Sequence, residues 1–168
     1  MMDILGLNRN DCALGETEYP FTEAFGKHDV RITTHYYLEL VTFSLCSVIH
    51  ECGHTLFELG MDDYLQGTLL NSCTAMSIHE SQSRFYENLI DRSRPFCEAL
   101  LPILCEYYPD QTEGLDAETL YRCVYRAFPS LIRTEADELT YLMHIMIRYE
   151  LEKRMLSGDL SAADMPAA

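Results

Sequence analysis

Apolar residues recur at helical intervals through most of the chain. Over residues 36–59 they fall at Leu38, Val41, Leu45 and Val48, a spacing that predicts a helix ending at Gly60, a residue suited to the position just past a helix terminus. A polar, glycine-containing connection over 60–71 then leads to a second helix at 79–91. A third starts at Pro95, with Ser93 near its cap, and runs to about residue 107. After a loop at 109–114, a fourth spans 116–128 and stops before Pro129. A long amphipathic helix is expected from about 130 to 156, with Leu139, Leu142, Ile145, Met146 and Tyr149 inward and Gly158 after its end. Period-two alternation of β-branched residues is confined to 29–34, which predicts one short strand. Residues 1–28, rich in Asn, Gly and Pro, read as irregular, and the tail 159–168 as loose. With no repeat and no linker, the pattern describes a single domain over 1–168, mainly α with a small β element.

The chemistry is concentrated in the first helix, at His50-Glu51-Cys52-Gly53-His54. In a helix the two histidines of His-Glu-x-x-His lie one turn apart on one face, and this arrangement is half of a zinc hydrolase site. Glu51 lies about 100° around the helix from His50, close enough to act on water at the metal without ligating the ion. Cys52, about 200° from His50, is badly placed to ligate. The three fixed positions arise by chance in roughly 2% of chains this long, so the motif alone leaves open that both histidines are ordinary polar positions on a buried helix. A third ligand is needed, and Glu80, 26 residues after His54 in the second helix, is preferred. His79 is a rival, but neighbouring helical residues diverge by about 100°, so His79 and Glu80 do not both reach one ion.

His-Glu-Cys-Gly-His followed by His79-Glu80-Ser81-Gln82 and Ser83-Arg84 closely resembles the carboxypeptidase Taq family of metallocarboxypeptidases. Asp29-Val30-Arg31-Ile32-Thr33 is similar to that family's Asp-x-Arg-x-Thr motif, and Ile132-Arg133-Thr134-Glu135-Ala136-Asp137 to its Ile-Arg-x-x-Ala-Asp motif, in the family's order. Where the family usually has His-Pro-Phe, this chain has Tyr19-Pro20-Phe21. The resemblance implies a longer enzyme, with a helical region preceding the matched part and a Gly-x-x-Gln-Asp-x-His-Trp motif following it. The chain is therefore expected to correspond to the central, metal-carrying third, a zincin-like helical domain incomplete relative to the full family fold. It further implies His50, His54 and Glu80 as metal ligands and Glu51 as general base. Arg133, then Arg31, is the expected anchor for a substrate's terminal carboxylate, since a guanidinium stays charged and grips a carboxylate through two parallel bonds. Asp29 would either orient a histidine ligand or anchor Arg31, and His79 would support the metal from outside the ligand set. The expected activity is removal of C-terminal residues from peptides, with Zn2+ as cofactor and Co2+ or another divalent ion as a substitute. A non-catalytic metal-binding fragment, or one half of a split peptidase, is the alternative.

Composition adds limits. At 168 residues and 48% hydrophobic, the chain is long enough to bury a core. A net charge of −15 excludes a phosphate-binding, nucleic-acid role. Seven cysteines without finger spacing, and no basic, apolar leader pattern at the start, point to reduced thiols in the cytoplasm. The most apolar stretch, 38–49, carries Glu39 and is too short to span a bilayer. Helices that pack on absent segments would expose apolar faces, which predicts a homodimer or association with a complementary chain.

Overall fold

A computed structural model describes residues 1–71 and 75–167, the side chain of Glu135 excepted; Cys73 lies outside the described residues. They form two compact units, Met1–Gly114 and Leu115–Ala168.

The first unit begins with a three-stranded sheet of order β1-β3-β2, made of β1 (Cys12–Glu16), β2 (Thr22–Gly26) and β3 (Asp29–Thr34). The expected strand is β3, with its predicted bounds. The other two correct the reading of 1–28 as irregular. Neither Cys-Ala-Leu-Gly-Glu nor Thr-Glu-Ala-Phe-Gly has a run of β-branched residues; both are strands because they pair with β3, β1 in parallel and β2 antiparallel. Central β3 buries Val30, Ile32 and Thr34 completely on one face. That face meets Cys12, Met2, Leu7 and the helix residues Val48 and Cys52 to make the core.

Helix α1 (Val41–Leu59) lies across the sheet, and Thr34 fixes its first turns through a 2.6 Å hydrogen bond between Thr34 Oγ1 and Ser47 Oγ. It begins at Val41, not at residue 36, with Leu40 at its N-cap and no side chain capping it. Gly60 does end it, but at a right-handed φ of −77°. Helix α2 (Met76–Arg84) packs on α1 and continues as a wider π-helical turn, Phe85–Asp91, where a regular helix was expected. Such turns often occur at functional sites, and this one carries Glu87 against α1. Close approach of the two helices depends on Gly53, because a Cβ there would lie 2.5 Å from Ser83 Cα. Helix α3 (Arg94–Tyr107) starts as expected, with Pro95 in its first turn and the Ser93 hydroxyl accepting from Phe96 N–H.

In the second unit, α4 (Ala117–Val124) is capped by Asp116 and stops four residues earlier than the expected 128. The long last helix is corrected more. Residues Arg133–Glu135 form a 3-10 turn, and α5 (Glu138–Leu156) begins only after Asp137. The Asp137 carboxylate accepts from Leu139 N–H, Thr140 N–H, the Thr140 hydroxyl and Phe128 N–H. Although its burial opposes ionisation, these bonds hold the carboxyl down at about 2. At the other end Gly158, at φ +83°, donates to Met155 O while Asp159 donates to Arg154 O, closing a Schellman motif. The α5 residues expected to face inward are exposed, from 43% at Ile145 to 65% at Leu139. An amphipathic pattern specifies that one face needs covering; it does not say what covers it.

Candidate metal centre

His50 and His54 stand one turn apart on the face of α1 that meets α2, and Glu80 projects from α2 toward both. His50 Nε2 lies 3.7 Å and His54 Nε2 3.5 Å from the same atom, Glu80 Oε2. Among the described residues these three form the cluster of His, Cys, Asp or Glu side chains able to hold an ion, with donor atoms all within 4.8 Å of one another. Four-coordinate zinc with bonds of about 2.0–2.1 Å sets its ligand atoms roughly 3.3 Å apart, so the two measured separations need only a few tenths of an ångström of closure. The residues fit such an ion in chemical type and in spacing. Burial opposes ionisation of Glu80, but the adjoining His54 and His50 rings and the Arg84 guanidinium outweigh it and bring the carboxyl to about 2.

Each histidine is also held by its other nitrogen. His50 Nδ1 is 2.7 Å from Glu87 Oε2, and Glu87 is itself gripped by Arg84 at 2.8 Å and Arg92 at 3.1 Å. His54 Nδ1 is 2.5 Å from His79 Nδ1, and His79 Nε2 is 2.8 Å from Glu58 Oε1. Both rings therefore turn Nε2 toward Glu80, the arrangement in which outer hydrogen bonds orient metal-binding imidazoles. The buried Glu51 accepts a 2.5 Å hydrogen bond from the Thr22 hydroxyl of β2. Glu51, His54 and His79 line an open depression of about 250 Å³ with Thr22, Phe21 and Met76.

The sequence model for the carboxypeptidase Taq (M32) metallopeptidases matches residues 1–168. The chain belongs to this family. Among curated relatives of this M32 chain, Carboxypeptidase 1 of Bacillus subtilis (strain 168) is 40% identical over 163 residues, which are 97% of this chain and 32% of that protein. Thermostable carboxypeptidase 1 of Pyrococcus furiosus is 41% identical over 153 residues, 91% of this chain and 30% of that protein. The crystal structure of the M32 carboxypeptidase from Deinococcus radiodurans R1 superposes with a TM-score of 0.92 at 42% identity, covering 97% of this chain and 33% of that one. The chain thus spans about a third of the length of the relatives it matches. The helical M32 fold, with its small sheet beside the metal-site helices, is the fold expected from the motifs. No helix of the described residues is long and apolar enough to cross a membrane.

The remaining expected site residues divide. His79 contacts His54 and stays out of the triad. Asp29 holds Arg31 through two 2.8 Å hydrogen bonds, the second of its two anticipated roles, and Arg31 also lies over the Phe25 ring. Arg133, in the second unit, donates to the Tyr141 hydroxyl and stacks its guanidinium 5.3 Å from that ring's centre. Sequence reasoning did not single out Glu87, Glu58 or Thr22. Spacing could have flagged Glu58, which follows His54 by four residues, an interval that repeats a helix face, whereas Glu87 lies in the π-helical turn, where that interval no longer applies. Thr22 carried no signal, because its strand was not expected.

Proposed function

We propose that this chain carries the catalytic metal centre of a carboxypeptidase: His50, His54 and Glu80 hold a divalent ion, Zn2+ by preference, and Glu51 is the general base. The observation that carries this reading is the convergence of His50 Nε2 and His54 Nε2 on Glu80 Oε2. When bound, such an ion polarises the scissile carbonyl and lowers the pKa of water in its open position from about 15.7 toward 7. Glu51, held by Thr22 on the wall of the depression, takes the proton from the attacking water and returns it to the leaving amine. Removal of the last residue alone requires a cation at fixed reach from the metal. Arg133 is the group we propose: among the described residues its guanidinium donates to the neutral Tyr141 hydroxyl, whereas the fork of Arg31 is engaged by Asp29. The substrates are peptides with a free C-terminus. The six reduced thiols among the described residues fit a cytoplasmic protein.

The test is metal-free protein, reloaded with Zn2+ or Co2+, acting on a blocked dipeptide with a free C-terminus. Release of the terminal amino acid that vanishes in Glu51→Gln supports the reading; cleavage of a C-terminally amidated peptide would instead make the protein an endopeptidase. A second reading is favoured by length, since the chain spans a third of its relatives: a metal-binding piece that needs a complementary chain, or its own second copy, to complete the cleft. Metal uptake without release of any amino acid supports this one.

A further inference from the structure

The two histidines are oriented in different ways. Glu87 touches His50 directly, but the carboxylate serving His54 is one ring further away, at the end of the path Glu58–His79–His54. We propose that Glu58, acting through His79, is a positioning residue that sets the tautomer of His54 and so makes its Nε2 lone pair available to a metal ion. The inference rests on the metal centre proposed above.

The assignment follows link by link. A carboxylate only accepts, so the 2.8 Å contact at Glu58 Oε1 requires His79 to carry its proton on Nε2. A neutral imidazole protonated on Nε2 has a bare Nδ1, which accepts. The 2.5 Å Nδ1–Nδ1 contact then needs its donor from the other ring, so His54 is protonated on Nδ1 and bare on Nε2. That is the nitrogen 3.5 Å from Glu80 Oε2. Reversing the first link reverses them all: with no acceptor at position 58, His79 can donate from Nδ1, and His54 then carries a proton where the metal should bind. The path is also rigid. Glu58 and His54 are on α1 and His79 is on α2, so the bonds run from one helix to the other and back. The Phe57 ring lies against His79 with centres 4.7 Å apart, and only 8% of His79 is exposed.

Long-range 15N NMR of the histidine rings in metal-free protein reads the tautomers without any variant. Protonation of His79 on Nε2 and of His54 on Nδ1 is expected, and the opposite pattern overturns the inference. In Glu58→Ala, His54 should become a mixture of tautomers while His50, held by Glu87, keeps its own. Affinity for Zn2+ or Co2+ alone, measured by chelator competition, should fall by about 10- to 100-fold with helical content unchanged. Glu58→Ala with wild-type affinity and a wild-type His54 tautomer refutes the role of Glu58. A wild-type protein that takes up neither ion refutes the metal centre itself, and the tautomer assignment is then still decided by the wild-type spectrum.

Discussion

Replacing Gly53 with Ala tests whether the spacing of α1 and α2 makes the metal centre. On helix propensity alone the change should help, by about 0.8–1 kcal/mol, since Ala is the best helix former and Gly among the worst. The structure predicts the reverse. The added Cβ would sit 2.5 Å from Ser83 Cα and 3.1 Å from both Ser83 N and Gln82 O, all backbone atoms that cannot rotate aside. Real Cβ contacts essentially never fall below 3.0 Å, so the helices must part by at least 0.5 Å. Overpacking of this kind costs about 1–3 kcal/mol; set against the propensity gain, the net loss of stability is up to about 2 kcal/mol. Metal affinity should suffer more sharply. His54 adjoins Gly53 and Glu80 lies within a turn of Ser83, so parting the helices would stretch the 3.5 Å between His54 Nε2 and Glu80 Oε2 to about 4 Å. Zinc ligands at about 2.0–2.1 Å require roughly 3.3 Å. Chelator competition should show at least a tenfold loss of Zn2+ affinity, and urea unfolding a lower midpoint. A Gly53→Ala protein that is more stable than wild type and binds Zn2+ equally well would refute the argument.

Three further outcomes are expected. Burial raises the Asp91 carboxyl to about 6, despite the Cys46 thiol that donates to it and the charge of Arg92, so folding binds a proton between the unfolded value of 3.8 and about 6. The native state therefore loses up to about 3 kcal/mol of stability as pH rises through that window, at 1.36 kcal/mol per unit; denaturant titrations at pH 4.5 and 7.5 should show most of this loss in wild type and not in Asp91→Asn. Asp137 has the opposite sign: its carboxyl, at about 2, contributes stability above pH 3.8 that disappears as pH falls toward 2. Asp137→Ala should destabilise α5 by about 1–2 kcal/mol at pH 7, through loss of its cap, and circular dichroism during urea unfolding would detect it. Finally, the exposed apolar residues of α5 should drive self-association, visible as concentration-dependent mass in light scattering; a monodisperse monomer across the micromolar range would contradict this.

How much of this was legible in the chain depends on the range of the interaction involved. The His50–His54 pair follows from helix periodicity, and Glu80 from the need for a returning helix with an acid on it. The start of α3 could be read from Ser93 and Pro95 because caps are local. Strands β1 and β2 could not, because only their pairing with β3 makes them strands. The start of α5 differs from the expectation for another reason: apolar spacing continues through 130–137, but the cap at Asp137 starts the helix only there.

The same distinction separates the two halves of the metal centre. Its donors come from a motif with a fixed interval, so they can be found in any helix that carries it. Their orientation comes from Glu87, reached across a π-helical turn, and from Glu58, reached through a histidine of the neighbouring helix. Neither contact is set by sequence spacing alone, since both require the close crossing at Gly53 and Ser83. A glycine with no chemistry of its own thus decides whether the ionisable side chains outside the ligand set can act on the ligands. This is why a His-Glu-x-x-His run without a small residue at its crossing point could preserve the motif and still fail to close on an ion.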